Sequence, residues 1–409
     1  MAGDWKDITL GDFVRLQRGH DLTQPERRAG HVPVMGSAGQ NGCHDSALAK
    51  GPGIVIGRSG ASFGQVHFSA VDYWPHNTAL YVTDFNGNDP SFAFYYLKSI
   101  DFDRYNSGSA QPSLNRNFIY PIPLRVPSPP EQKSIAHVLG TLDDLIELNR
   151  ETNEILETMA RALFQSWFVD FDPVRAKLEG RAPAGMDTAT AALFPDHFQD
   201  SDLGQIPKGW ETGRIDSFVS LGRVTVNPVK FPSEVFDHFS LPAFDNGQIP
   251  KSEIGDSIKS NKFVVEVDAV LLSKLNPHIP RVWLPDLSPT CRSVCSTEFM
   301  VARAMAGSSR EYLYSQFTNP YFASIYDTLV SGTTGSHQRI SPDSFLAMQV
   351  GIPPRTLVDA FTKVVKPMFD SIHESRNESR DLAALRDTLL PKLLSGEVSV
   401  GELQKEPIP

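Results

Sequence analysis

Few groupings in this 409-residue chain have the spacing that chemistry demands. Cys291 and Cys295 stand at a Cys-x3-Cys interval and could supply half of a tetrahedral zinc site. No second Cys or His pair lies at ligand spacing nearby, so buried, reduced thiols are expected instead. The glycines of the run from Gly51 to Ser59 superficially resemble a phosphate loop, but their spacing is wrong and Arg58 stands where such a loop needs Lys. An adenine-methylating site would need a glycine-rich cofactor loop and an Asn or Asp before Pro-Pro and an aromatic. Ser128-Pro129-Pro130-Glu131 and Ile352-Pro353-Pro354-Arg355 have neither the amide nor the aromatic. The Pro-Asp pairs at 195–196, 285–286 and 342–343 are not followed by the Glu-x-Lys of a magnesium-dependent nuclease. A chain with no catalytic residues and no bound metal is expected.

Composition bounds the alternatives. The chain is 40% hydrophobic and 10% aromatic, as globular proteins are, and has no run near the ~20 apolar residues of a membrane span. No basic and apolar leader follows Met1, and three cysteines cannot build a disulfide framework, so a cytoplasmic address is expected. A net charge of −10 argues against indiscriminate coating of nucleic acid. It leaves room for a reader whose cations lie on one face.

The elements that would position any such face are written twice. Trp5, Leu10, Phe13 and Val14 recur as Trp210, Ile215, Phe218 and Val219, each 205 residues on. Asn77 to Val82 lines up with Ser296 to Val301 as a strand. Ser107-Gly108-Ser109 and Pro129-Pro130 recur 224 residues later as Ser331-Gly332-Thr333 and Pro353-Pro354. Between those anchors a second alignment, shifted by two residues, sets Leu114-Asn115 over Ile340-Ser341. Short strands such as 53–56 and 269–272 and short helices near 91–98 and 309–317 indicate two mixed α/β units.

Each half closes on a long helical pattern, the two matching at an offset of 226. Ser128 offers an N-cap, prolines fill the first turn, and Glu131 follows. From Ile135 the apolar positions step by fours and threes through Leu142, Ile146, Asn149, Asn153, Leu156 and Leu163 to Trp167, a heptad seam. The second seam runs from Phe361 through Ile372, Leu382 and Leu389 to Leu393, where Pro367 and Pro391 are expected to kink or interrupt it. These helices either pack within their own halves or pair with each other. A run of some 39 residues, ~58 Å long, favours pairing. The polar pairs Asn149/Asn153 and Ser375/Ser379 would then fix register at some cost in stability.

Gly108 to Asn115, the Pro129-Pro130-Glu131-Gln132 start, Leu142 to Asn149, Leu163 to Phe171 and Leu385 to Glu397 resemble the specificity subunits of type I restriction-modification systems. The resemblance implies an α/β (α+β) chain with an internal repeat: a target-recognition domain at 1–128, a spacer helix at 129–170 and a connecting segment at 171–205. A second target-recognition domain then follows at 206–353 and a second spacer helix at 354–400. It implies two antiparallel helices holding the domains apart and an asymmetric, bipartite site in double-stranded DNA. Two methyltransferase subunits and restriction (translocase) subunits are the implied partners, and S-adenosylmethionine, ATP and Mg²⁺ would be bound by them. An effector of another type, or a protein-only coiled-coil scaffold, would be the alternatives.

Reading base edges requires Arg or Lys for guanine and Asn or Gln for adenine, together with phosphate contacts. Polar loop residues beside strands are the candidates. In the first unit these are Arg58, Ser59, Ser109, Gln111, Asn115 and Arg116. In the second they are Lys274, Asn276, Arg281, Thr333, His337, Gln338 and Arg339. The alternative reading makes Ser107-Gly108-Ser109 and Ser331-Gly332-Thr333 ordinary turns and Arg58 and Lys274 solvated strand ends.

Overall fold

The computed structural model describes residues 5–108, 112–331 and 338–403. The chain falls into two compact units, Met1–Asn149 with Asn377–Pro409, and Arg150–Arg376. It is a mixed helix and sheet protein in which the same topology is built twice.

The first unit's main sheet has four antiparallel strands in the order Arg15–Arg18, Ala79–Asp84, Gly53–Gly57, Val66–Ser69. The second unit's has Val219–Gly222, Phe299–Ala304, Ala269–Ser273 and Val282–Trp283 in the corresponding order, also antiparallel. The central strands Gly53–Gly57 and Ala269–Ser273 are buried at every residue. Both faces are covered, so these strands read as continuous apolar runs without alternation. A two-stranded ladder joins the ends of each domain, Lys6–Thr9 with Pro123–Val126 in the first and Glu211–Arg214 with Gln349–Ile352 in the second. The units differ in their smaller sheet, three-stranded in the first and five-stranded in the second.

Strand register corrects one alignment made from sequence. Tyr81 pairs with Val55, and Val301 pairs with Leu271. Ala79 therefore corresponds to Phe299, one residue away from the match of Asn77 to Ser296. Alternation could not reveal the slip, because 79–82 and 299–302 are buried at all four positions.

A short helix, Pro90–Lys98 or Arg310–Thr318, covers each main sheet and meets the long helices. In the first unit Phe92, Tyr95 and Leu97 share a core with Ile135 and Leu139 of the first long helix, Pro129–Phe164, and with Leu393 of the second, Arg355–Ser395. In the second unit Phe361 lies fully buried, its ring 5.8 Å from Phe164, 5.9 Å from Trp167, 5.2 Å from Phe168 and 6.4 Å from Tyr312. The helices thus satisfy both readings of the sequence, because each unit's segments pack on that unit's domain and also on one another.

The second long helix runs unbroken through Pro367 and Pro391, contrary to the expected interruption. Each proline removes one backbone donor, but in an amphipathic helix held by packing the flanking turns persist: Val365, Phe369 and Ile372 are buried around Pro367, and Leu393 and Leu394 beside Pro391.

Candidate nucleic-acid interface

In both units the chain leaves the central strand of the main sheet on a cation, Arg58 in the first and Lys274 in the second. The Arg58 amide donates to the Thr78 carbonyl at 2.9 Å, and the Arg58 carbonyl accepts from the Leu114 amide at 2.8 Å. The Lys274 amide donates to the Glu298 carbonyl at 2.8 Å, and its carbonyl accepts from the Ile340 amide at 3.1 Å. Arg58 and Lys274 are therefore the same position in two copies of one device. Each sits beside the closing end of a loop, 107–113 in the first unit and 331–339 in the second.

These bonds reconcile the two alignments of that loop. Asn106 bridges Leu114, and Val330 pairs with Ile340, so the offset is 224 before the loop and 226 after it. The second loop is two residues longer. Asn115 and Ser341 then cap equivalent short helices, their side-chain oxygens accepting from the amides of Asn117 and Ser344. Ser109, Gln111, Thr333 and His337 lie outside the described residues.

The other candidates divide by what already holds them. In the first unit Arg58, Asn115 and Arg116 line one cleft of about 580 Å³, large enough for the edge of a base. Ser59 bridges Ser113 at its edge. Arg116 also donates to the Leu16 carbonyl at 3.0 Å, which anchors its guanidinium. In the second unit Arg281 forms a two-point ion pair with Asp245 and is largely buried, while Arg339 forms a two-point pair with Glu298 and stays half exposed. Asn276 adopts a left-handed conformation with φ 50° and its Oδ1 is buried without a partner, while its amide donates to the Gln338 carbonyl at 2.9 Å. Those features are turn-forming. Among the described residues Lys274 has no carboxylate partner, which leaves its ammonium available.

The cleft also gathers Gln17, Arg18, His20 and Asp21, none of them apparent from the sequence. They arrive by a long-range ladder: the Gly19 amide donates to the Ala79 carbonyl at 3.0 Å and the His20 amide to the Pro75 carbonyl at 2.8 Å. Gly19 permits it, since a Cβ there would stand 2.1 Å from the His76 carbonyl oxygen. One signal was present: Arg223 follows Arg18 by the same 205 residues as the initial repeat, and it too is exposed.

Glycines and thiols elsewhere have structural explanations. A Cβ on Gly57 would stand 1.9 Å from the Ser62 carbonyl oxygen, so the 51–59 glycines serve close packing, not phosphate binding. Burial pushes the Cys295 thiol up to about 12, which makes it a poor metal ligand. Among the described residues no group of three or more His, Cys, Asp or Glu could hold a metal, and no helix is long and apolar enough to cross a membrane.

The helix pairing is antiparallel in each unit taken by itself. In the first, Arg386 pairs with Asp143 and Asn149 donates to Glu378 at 2.9 Å. Leu142 and Leu393 are buried there, with Ile146, Leu382 and Leu389 partly so. In the second, Arg376 donates to Glu157 at 2.8 Å. Asn153, Trp167 and Ile372 are buried, and Leu156 and Leu163 pack on the core.

Comparison with known proteins agrees with this architecture. The family model for the type I restriction modification DNA specificity domain matches residues 2–158. The HindI type I restriction enzyme specificity subunit of Haemophilus influenzae is 25% identical over 471 aligned positions, covering 97% of this chain and 100% of that one. This chain is similar to the type I specificity subunits. The MjaIX specificity subunit of Methanocaldococcus jannaschii is 26% identical over 333 positions, covering 76% of this chain and 70% of its own. The crystal structure of a type I system S subunit from M. genitalium shares the fold, with a TM-score of 0.60 at 14% identity over 96% of each chain. The matched family model is described as a DNA specificity domain, and these relatives are named as specificity subunits of type I restriction enzymes.

Proposed function

We propose that this chain reads an asymmetric, bipartite site in double-stranded DNA, one half-site for each target-recognition domain (1–128 and 206–353). The duplicated device at Arg58 and Lys274 carries the reading: two sheets of the same strand order, each ending on a cation held by the same pair of backbone bonds beside a polar loop. Different loops on one scaffold suit different half-sites, as the sequences of the two domains diverge outside their shared anchors.

The two long helices set the spacing between half-sites and form the dock for two methyltransferase subunits, to which restriction subunits add. The first helix supports the docking role. Leu145, Leu148, Ile155 and Met159 are 41%, 57%, 61% and 47% exposed, at intervals of three, seven and four residues. That is a second heptad row, apart from the row that faces the partner helix, and rows of this kind pack against further helices. S-adenosylmethionine, ATP and Mg²⁺ belong on the partner subunits in this scheme, and the complex works in the cytoplasm.

Long-read mapping of modified bases in host DNA, with this gene intact and deleted beside its methyltransferase gene, tests the proposal. Loss of one gapped, asymmetric adenine-methylation motif is the expected result. An unchanged methylome would overturn it.

A further inference from the structure

Building on the DNA-reading role above, we propose that Asp21, held by Asn77, is a specificity-determining residue of the first domain. It accepts a hydrogen bond from an exocyclic amino group on the major-groove edge of the target, cytosine N4 in the first place.

A polar line crosses the cleft. Arg58 Nη1 reaches the Asn77 carbonyl at 3.5 Å, the Asn77 side-chain amide donates to the Asp21 carboxylate, and Arg18 stands 3.9 Å from that carboxylate. The Asp21 side chain is 75% exposed and that of Arg18 56%, so neither is spent on the core. An ionised carboxylate accepts and cannot donate. Asn77 and Arg18 both approach its Oδ1, and against phosphate the carboxylate would be repelled, so the group on DNA that suits its remaining lone pairs is the amino group of a base.

Comparison of the two domains separates positioning from specificity. Arg58 corresponds to Lys274, and Arg18 to Arg223, which follows it by 205 residues, so both domains keep a cation at both places. Cations shared by readers of different sequences suit the phosphate backbone, which carries no sequence information. Asp21 and Asn77 have no such counterparts. Position 226 is Val, and the ladder sets Thr297 opposite Asn77. The domain-specific pair is therefore the one that can discriminate. Its geometry is fixed by the Gly19 and His20 ladder to residues 75–79, which places the carboxylate before DNA arrives.

The test uses the complex assembled with its own methyltransferase subunits and a duplex library randomised across both half-sites. Asp21→Asn is expected to lower discrimination at one base pair of one half-site about tenfold and to leave the other half-site unchanged. Asn77→Ala, which frees the carboxylate without removing it, should blur the same base pair. Unchanged preference at every position, or equal loss on all sequences, would overturn the assignment. Arg58→Gln and Lys274→Gln are measured alongside. If neither weakens binding to any duplex, the DNA-reading face itself is wrong, an outcome distinct from failure of Asp21 alone.

Discussion

The Tyr95 hydroxyl donates to the Asp143 carboxylate at 2.7 Å, and the same carboxylate receives Arg386. One acidic side chain on the first long helix thus ties the first domain's short helix to the second long helix. Arg386 and Asp143 are 19% and 30% exposed, so the pair is sheltered enough to matter. Arg386→Ala is expected to leave Asp143 half-compensated by Tyr95 and to cost roughly 1–3 kcal/mol. Faster amide exchange over 129–149, with exchange in the second unit unaltered, is the readout.

In the second unit the buried His373 feels the charges of Arg310 and Arg376, opposed by those of Asp286 and Asp370. Burial first, and then the Arg310 charge, push it down to about 4. Its unfolded value is ~6.5. Between those values the unfolded chain binds a proton that the folded unit refuses, so stability falls as pH drops from about 6.5 toward 4 and is unaffected above that window. The slope reaches at most ~1.4 kcal/mol per pH unit. Denaturant unfolding across pH 4–7 should show this slope, and His373→Gln should flatten it.

Arg58 and Lys274 act as positioning cations in this account. Arg58→Gln and Lys274→Gln should each weaken DNA binding on matched and mismatched duplexes alike and reduce the slope of log affinity against log salt by about 1. Binding titrations at several salt concentrations measure both quantities. A change in sequence preference without a change in salt slope would reassign these residues as base readers.

Much of this was legible in the sequence because the chain repeats itself. The 205-residue match of Trp5 to Trp210 and the heptads from Leu142 to Trp167 announced a duplicated domain and a helix pair. The strand register stayed hidden, since 79–82 and 299–302 are buried on both faces and lose the alternation that fixes it. The cleft stayed hidden for another reason. Arg18, Asp21 and Asn77 meet across some 60 residues of chain through a ladder that only the fold creates. Nor does the sequence show that Arg281 and Arg339, both candidate DNA contacts, pair with Asp245 and Glu298 from elsewhere in the fold.

We propose that the length of the helix pair sets the gap between the half-sites, and the most direct test changes only that length. One heptad is inserted into each long helix, near Asn149/Asn153 and Ser375/Ser379, and the methylated motif is mapped in cells carrying the partner subunits. The account predicts the same two half-sites with a longer untouched gap between them. The original gap, or an altered half-site, would contradict it.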